Sequence, residues 1–138
     1  MKNNPEITLN IQTETYKYPS VNIIGKIEGT DPKLKNEYVL LSGHQDHDGI
    51  RHPVKNDTIY NGADDNASTC VAILAMARAY KKQPSKRSIL FVIHGAEERG
   101  LLGSRWHAAH PVVPKESIVT VLNGDMIGRN NVNQAALL

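Results

Sequence analysis

The sequence predicts an α/β protein, a three-layer sandwich in which helices cover both faces of a mostly parallel sheet. Three short apolar runs, residues 38–42, 88–93 and 117–122, alternate with two helix candidates, residues 66–82 and 101–110. Continuous apolar runs of this length are typical of strands that are covered on both faces. The order strand, helix, strand, helix, strand favours parallel pairing of the three strands.

The N-terminal residues predict two further strands at an antiparallel edge of this sheet. In residues 6–15 apolar and polar side chains alternate, which is typical of a half-buried strand. A second apolar stretch, residues 21–29, ends at the turn residues Asp31 and Pro32. We expect these two strands to pair with each other.

The longer helix candidate has signals at both ends. It follows the acidic pair Asp64 and Asp65, and its last residues, Lys81 and Lys82, precede Pro84. Negative charge at the start and positive charge at the end of a helix both suit its dipole. One carboxylate would suffice as an N-cap, so the second one indicates a further role.

Composition and charge exclude several function classes. The chain has 138 residues, of which 40% are hydrophobic and 22% are charged, as expected for one globular domain or part of one. A net charge of +2 with scattered lysines does not indicate nucleic acid as a partner. No apolar run approaches the roughly 20 residues of a membrane helix, and no signal peptide is recognisable. The single cysteine, Cys70, excludes an internal disulfide and is predicted to belong to the core.

Chemically reactive side chains follow each of the three apolar strands. The chain continues as GHQDHDG after the first strand, HGAEERG after the second and NGDMIGR after the third. Ligands of open α/β sheets bind beyond the carboxyl ends of the strands. The loop from Gly43 to Ala63 is too long for a simple connection and is predicted to be a binding loop. The residues gathered at this edge are His44, Asp46, Asp64, Asp65, Glu97, Glu98 and Asp125.

This set of side chains favours a metal site. Converging carboxylates would repel each other unless a cation lay among them, and zinc binds both histidine nitrogen and carboxylate oxygen. More acids than one ion can use favour two ions with a shared carboxylate. Of the adjacent Glu97 and Glu98, one could bind metal while the other takes a proton from activated water. Asp46 could fix the tautomer of His44.

Four segments in this order, SGHQDHDG, NGADDNAS, HGAEERGLLGS and NGDMIGRN, resemble the co-catalytic zinc aminopeptidases and carboxypeptidases. These form metallopeptidase family twenty-eight of clan MH, which includes the bacterial leucine aminopeptidases. The similarity runs from about Val21 to Asn130. It implies a zinc-dependent exopeptidase, preferentially an aminopeptidase, that hydrolyses terminal peptide bonds of a peptide substrate with metal-activated water.

The resemblance implies a ligand set for two Zn²⁺ ions in the complete site. His44 and Asp125 would bind the first zinc, and Asp64 would bridge both ions. Glu98 would bind the second zinc. The family supplies a last histidine ligand from a later loop, but no histidine follows Asp125 here.

The resemblance also assigns residues that do not bind metal. Glu97 would be the general base, and Asp46 would orient the histidine of the first zinc. Asp65 would support a bent, cis-type peptide geometry that aims its neighbour. The candidate substrate contacts are His47 and Arg129.

From the missing histidine we expect residues 1–138 to be the N-terminal portion of a catalytic domain whose C-terminal strands are absent. Such a fragment would hold one zinc or none, its activity is left open, and its exposed sheet edge would favour self-association. The resemblance favours a periplasmic or secreted parent, although the residues themselves leave the compartment open.

Two other functions remain open. A one-zinc acyl transferase of the glutaminyl cyclase type shares the fold, although the presence of His44 and Asp46 favours the two-metal form. A receptor-like or scaffold domain without catalysis would also share it, although such relatives usually lose the metal ligands that persist here. Amino- versus carboxy-terminal cleavage and side-chain specificity are not determined by the sequence.

Overall fold

The structure is a computed structural model that describes residues 8–15 and 17–129. The described residues form a four-stranded sheet, a separate two-stranded hairpin and two α-helices. In chain order the elements are β1 (Ile23–Ile27), β2 (Tyr38–His44), β3 (Gly49–Val54), β4 (Asp57–Tyr60), α1 (Ala67–Lys82), β5 (Ser88–His94), α2 (Leu102–Ala109), a 3₁₀ turn (Lys115–Ser117) and β6 (Ile118–Asn123).

The main sheet has the strand order β1-β5-β2-β6. Strands β5 and β6 lie on either side of β2 and run parallel to it, whereas β1 runs antiparallel to β5 at the edge. The last residues of β2 and β5, His44 and His94, are opposite each other in the register. The predicted mostly parallel sheet with an antiparallel N-terminal edge is therefore confirmed, and its parallel strands end at one edge.

The core lies on both faces of β5, and all residues of this strand are buried. On one face the strand packs against α1, whose Ile73 is 2% exposed. On the other face Leu90 and Val92 pack with Val113, which follows α2. The α2 residue His107 also lies on this side, with its ring centroid 5.7 Å from that of His94. These contacts give the predicted three layers and explain why the run in β5 is continuously apolar.

The prediction of two paired N-terminal strands is wrong for the described residues. Residues 8–15 have no regular secondary structure, and Leu9 and Ile11 are 76% and 74% exposed. Residues 6 and 7 of the predicted strand lie outside the described part of the chain. Strand β1 pairs instead with β5, for example Ile24 with Val92. Alternation specifies a buried face only where another element covers it. In β1, Ile27 packs with the core cluster that includes Ile73 of α1, and Ile24 packs with the cluster on the other face of the sheet.

The predicted binding loop between residues 43 and 63 contains the hairpin of β3 and β4. The two residues of its turn, Lys55 and Asn56, have φ angles of 50° and 70°. Positive φ at both turn positions matches the right-handed twist of the flanking strands, and asparagine tolerates this conformation. The sequence VKND between two short strands was therefore the signal for this hairpin.

Both predicted helices are present, but the start of α1 differs from the expected cap. Asn66 occupies the N-cap position without a side-chain capping hydrogen bond. Its Nδ2 donates instead to the carbonyl of Gly124, at 3.0 Å, which ties the start of α1 to the end of β6. The polar residues at this helix start thus connect two elements of the sandwich.

Strand β6 is the outer strand on the far side of the described sheet. Its residues Val119, Val121 and Leu122 are all exposed. An exposed apolar edge strand can pair with another chain. Self-association through this edge stays a prediction, which light scattering at high protein concentration would check. In the described part of the chain no helix is long and apolar enough to cross a membrane.

Candidate metal centre

The ends of three parallel strands bring histidine and acidic side chains together. His44 is the last residue of β2, Glu97 follows β5, and Asp125 follows β6. His44 Nε2 lies 3.6 Å from Asp125 Oδ1 and 3.9 Å from Glu97 Oε2. Because β5 and β6 flank β2, side chains that are about 50 to 80 residues apart in the sequence meet at this edge.

The first group of possible metal ligands consists of His44, Asp65 and Asp125, whose ligand atoms lie within 4.8 Å of one another. His44 is 4% exposed, and its Nδ1 lies 2.9 Å from the carbonyl oxygen of Asp46. A carbonyl only accepts, so Nδ1 carries a proton and donates it. Nε2 points at Asp65 Oδ1, 3.1 Å away, and forms no hydrogen bond. This buried nitrogen and the facing carboxylates leave a position that suits a cation.

The second group consists of His47, Asp65 and Glu98. His47 Nδ1 lies 2.6 Å from Glu98 Oε1 and 3.6 Å from Asp65 Oδ2. Asp65 therefore directs one carboxylate oxygen at each of the two histidines. A carboxylate that is shared in this way has the geometry of a bridging ligand between two ions.

Asp64, for which the resemblance implies a bridging role, is not in either group. Its Oδ1 accepts a hydrogen bond from the main-chain nitrogen of Gly128 at 2.7 Å, and its carbonyl accepts one from Ser68 Oγ. The peptide bond between Asp65 and Asn66 is cis, one residue later than the bend expected from the sequence. Adjacent side chains point in different directions, and here Asp65 is the one that faces both histidines.

Asp46 supports the site in a way that differs from the prediction. Its carboxylate oxygens accept hydrogen bonds from the main-chain nitrogens of Glu97 and Glu98, at 2.9 and 3.1 Å. The imidazole of His44 is oriented chiefly by the main-chain carbonyl of Asp46, since the side-chain oxygen is 3.8 Å from Nδ1. No sequence signal links Asp46 to a turn about 50 residues further on, so this contact was missed.

Two residues in the left-handed region turn the chain where β5 and β6 end. Ala96, with φ of 53°, precedes Glu97, and Met126, with φ of 49°, follows Asp125. Residues other than glycine rarely adopt this conformation, and such residues cluster at functional sites. The two turns redirect the chain beside the acidic residues of the site.

Glu97 lies beside the first group without belonging to it. Partial burial raises the pKa of Glu97 above its ordinary value. Its acidic neighbours Glu98 and Asp125 raise this pKa further, whereas His44 opposes the change. A carboxylate with a raised pKa is better suited to accept a proton near neutral pH.

The remaining predicted residues have different surroundings. His47, a candidate substrate contact, belongs to the second group, whereas Arg129 is exposed and belongs to neither. Cys70 lies in the first turn of α1 and packs against the core, and its Sγ donates to the carbonyl of His44 at 3.0 Å. Burial raises the pKa of the Cys70 thiol. This agrees with the core role predicted for the cysteine.

The sequence model of peptidase family M28 matches residues 22–136, most of the chain. The chain belongs to peptidase family M28. The family predicted from the four sequence segments is therefore confirmed.

Curated and solved relatives are similar over most of this chain. A probable leucine aminopeptidase 2 of Aspergillus oryzae is 31% identical over 80% of the chain, which spans 20% of that protein. The crystal structure of a Zn-dependent exopeptidase from Parabacteroides distasonis is similar with a TM-score of 0.63 and 30% identity, over 78% of this chain and 41% of that one. A glutaminyl cyclase of Bacteroides thetaiotaomicron, bound to N-acetylhistamine, gives a TM-score of 0.63 with 25% identity, over 78% of this chain and 41% of that one. The chain thus spans less than half of the length of each of these relatives, which include zinc exopeptidases and aminopeptidases.

Proposed function

We propose that this chain carries the metal-binding residues of a zinc exopeptidase and that the protein removes residues from the end of a peptide. We favour cleavage at the amino end of the peptide, because several of the similar proteins are aminopeptidases. The observation that supports the proposal most directly is that Asp65 belongs to both histidine-containing groups. Glu97 lies beside the first of these groups.

The donor set fits zinc. His44, Asp65 and Asp125 would hold the first ion with one nitrogen and two carboxylate ligands, and zinc binds both of these donor types in proteins. Asp65 and Glu98 would contribute to the second ion, so that Asp65 takes the bridging role expected for Asp64. When bound, zinc polarises the carbonyl of the substrate and lowers the pKa of water at the site.

Glu97 is proposed as the general base. Its carboxylate oxygen lies 3.9 Å from His44 Nε2, at the edge of the first group, and neither ligand group includes it. It would accept a proton from the attacking water and return it to the leaving amine. Asp46 would act as a positioning residue, because it holds the main-chain nitrogens of Glu97 and Glu98.

The test is zinc-dependent hydrolysis of short peptides and aminoacyl p-nitroanilides by the protein. Replacement Glu97→Gln removes the base but neither ligand group, so zinc content should stay unchanged. Turnover should fall by about 10²- to 10⁴-fold, the usual contribution of general acid–base catalysis. Glu116→Gln, at an exposed residue of the 3₁₀ turn, is the matched control and should keep full activity. Full turnover of Glu97→Gln would remove Glu97 from the mechanism.

Acyl transfer of the glutaminyl cyclase type is the second candidate, because a solved glutaminyl cyclase is similar to this chain. A one-zinc enzyme needs only one ligand group, whereas two groups around Asp65 support a two-zinc hydrolase. Peptides that begin with glutamine separate the two functions. Cyclisation with release of ammonia indicates acyl transfer, and release of free glutamine indicates hydrolysis.

A further inference from the structure

We propose that Asp64 is a positioning residue for the first zinc, because it fixes the turn that carries the ligand Asp125. This turn follows β6 and comprises residues 124–128. The inference rests on the proposed function in that it takes zinc as the ion of the site. Asp64 would hold another ligand in place, whereas the neighbouring Asp65 would bind the ions directly.

The carboxylate of Asp64 binds the far end of this turn. Its Oδ1 accepts a hydrogen bond from the main-chain nitrogen of Gly128 at 2.7 Å, a short distance that is typical of a charged acceptor. A Cβ at Gly128 would lie 2.8 Å from Asp64 Oδ1 and 3.2 Å from the Cβ of Ser68. The turn therefore approaches Asp64 more closely than a side chain at residue 128 would allow.

Ser68, in the first turn of α1, adds a second contact with the same turn. Its Oγ donates to the main-chain carbonyl of Asp64 at 2.6 Å and accepts from the main-chain nitrogen of Ile127 at 3.2 Å. One hydroxyl thus joins the residue before Asp65 to the turn that carries Asp125. We call Asp64 and Ser68 together the clasp.

The near end of the turn is held by the same segment of the chain. Asn66 Nδ2 donates to the carbonyl of Gly124 at 3.0 Å. Asp125 lies between this contact and the clasp, so both ends of its turn are bound to residues 64–68. Because Asp65 belongs to that segment, these hydrogen bonds determine how the two carboxylates of the first group lie relative to each other.

Asp125 is less enclosed than the other residues of the first group. Its side chain is 39% exposed, compared with 28% for Asp65 and 4% for His44. Its Oδ1 is 3.6 Å from His44 Nε2, which is too far for a hydrogen bond. The direction of this carboxylate therefore depends chiefly on how its main chain is held, and the clasp holds that main chain.

The clasp also accounts for the second carboxylate before α1. A cap does not explain Asp64, because the N-cap position belongs to Asn66 and no side chain forms a capping hydrogen bond there. The two consecutive carboxylates have separate contacts instead: that of Asp64 accepts from Gly128, and that of Asp65 faces the histidines.

The deciding comparison is Asp64→Ala with Asp64→Asn. Both remove the negative charge, but only asparagine keeps an oxygen that can accept from Gly128. In calorimetric zinc titrations Asp64→Ala should bind the first ion about 10- to 100-fold more weakly, as is usual when an outer-shell residue is removed. Asp64→Asn should stay close to the unmodified protein. The matched control is Asp31→Ala, which removes main-chain hydrogen bonds in the turn before β2 and should not change zinc affinity.

Amide hydrogen exchange of the metal-free protein tests the clasp without zinc. The amide proton of Gly128 should exchange slowly in the unmodified protein and in Asp64→Asn, and faster in Asp64→Ala, because a hydrogen-bonded amide exchanges only when its contact opens. Circular dichroism of each variant checks that the fold is kept. If the Gly128 amide of the unmodified protein exchanged as fast as in an unfolded chain, the inference would fail without recourse to a variant.

The zinc titrations separate this inference from the proposed function. Equal zinc affinity of Asp64→Ala and the unmodified protein would overturn the inference and leave the proposed function intact. Equal losses of affinity in Asp64→Ala and Asp64→Asn would assign the effect to charge rather than to the hydrogen bond, and would overturn the inference as well. An unmodified protein that binds no zinc would contradict both proposals.

Discussion

The two histidine-containing groups share Asp65 but are built on different parts of the molecule. His44 ends a central strand and is 4% exposed, whereas the side chain of His47 is 21% exposed and lies in the segment before the hairpin. The first group takes its other carboxylate, Asp125, from the end of a second strand of the same sheet. A group on adjacent parallel strands is held by the main-chain ladder, whereas a group on a loop depends on individual side-chain contacts.

The supports of the two groups differ accordingly. Besides the clasp, main-chain atoms hold the first group: the carbonyl of Asp46 orients His44, and Gly43 and Gly124 lie closely against Thr69 of α1. The second group relies on the carboxylate of Asp46, which accepts from the nitrogen of Glu98. We therefore expect the first ion to bind more tightly and to survive changes that remove the second.

Replacement of the shared carboxylate should have the largest effect. Asp65→Asn weakens both groups at once, so both zinc ions should be lost, with a decrease in affinity beyond the about 100-fold seen for outer-shell changes. Asp64→Asn is the matched neighbour, since an amide oxygen can still accept from Gly128, and it should keep both ions. Calorimetric zinc titration measures both variants. The opposite ranking would restore the bridging role to Asp64.

Removal of the Asp46 carboxylate should distinguish the two groups. Asp46→Ala frees the main-chain nitrogens of Glu97 and Glu98 but leaves the main-chain carbonyl that orients His44. Affinity for the second ion should fall by about 10- to 100-fold, as is usual for outer-shell residues. The first ion should change less. Competition with a chelator measures both constants, with Asp57→Ala on the hairpin as control, and an equal loss at both ions would contradict the division of supports.

Two glycine replacements should separate stability from metal binding. In Gly43→Ala the new Cβ would lie 2.6 Å from Thr69 Cγ2, and such overpacking destabilises by about 1–3 kcal/mol. In Gly62→Ala the positive φ costs about 1–2 kcal/mol, and the Cβ also presses on His47, which contacts the proposed ligand Glu98. Urea denaturation should therefore show destabilisation in both, whereas zinc titration should show a weaker second ion mainly in Gly62→Ala. A weaker second ion only in Gly43→Ala would contradict this expectation.

The smallest effect on the two groups should come from the buried histidine pair on the α2 side. Burial lowers the pKa of His94, with the neighbouring His107 and His44 adding to the effect, and burial also lowers the pKa of His107. Because both pKa values are lower in the folded state than the ordinary 6.5, the unfolded state takes up more protons as the pH falls below about 6.5. The free energy of unfolding should thus be highest above that pH and should decrease below it.

The midpoints of urea denaturation between about pH 5 and 8 measure this pH dependence of stability. This pH range covers the titration of histidine. His107→Gln should flatten the dependence, whereas His110→Gln, at an exposed position, should not. Zinc stoichiometry at neutral pH should be the same in both. A dependence that is unchanged in His107→Gln would assign the pH effect to other groups.

The strands and helices that were predicted correctly are those with strong local patterns. The continuous apolar run of β5 and the Ala-rich α1 with its terminal lysines could be recognised without tertiary information. Residues 8–15 alternate equally well but have no strand structure, because alternation says nothing about a partner. The hairpin was missed although its turn residue Asn56 favours positive φ, because short exposed strands carry little apolar signal.

The sequence by itself determined that the segments after β2, β5 and β6 lie together, because these parallel strands end at one edge of the sheet. The tertiary structure decided how they meet: that Asp65 rather than Asp64 faces both histidines, and that the carboxylate of Asp46 reaches the turn after β5. The reason is physical. A strand ladder fixes the position of a residue, whereas the direction of a side chain in a turn depends on local backbone angles and on contacts with residues far away in the sequence.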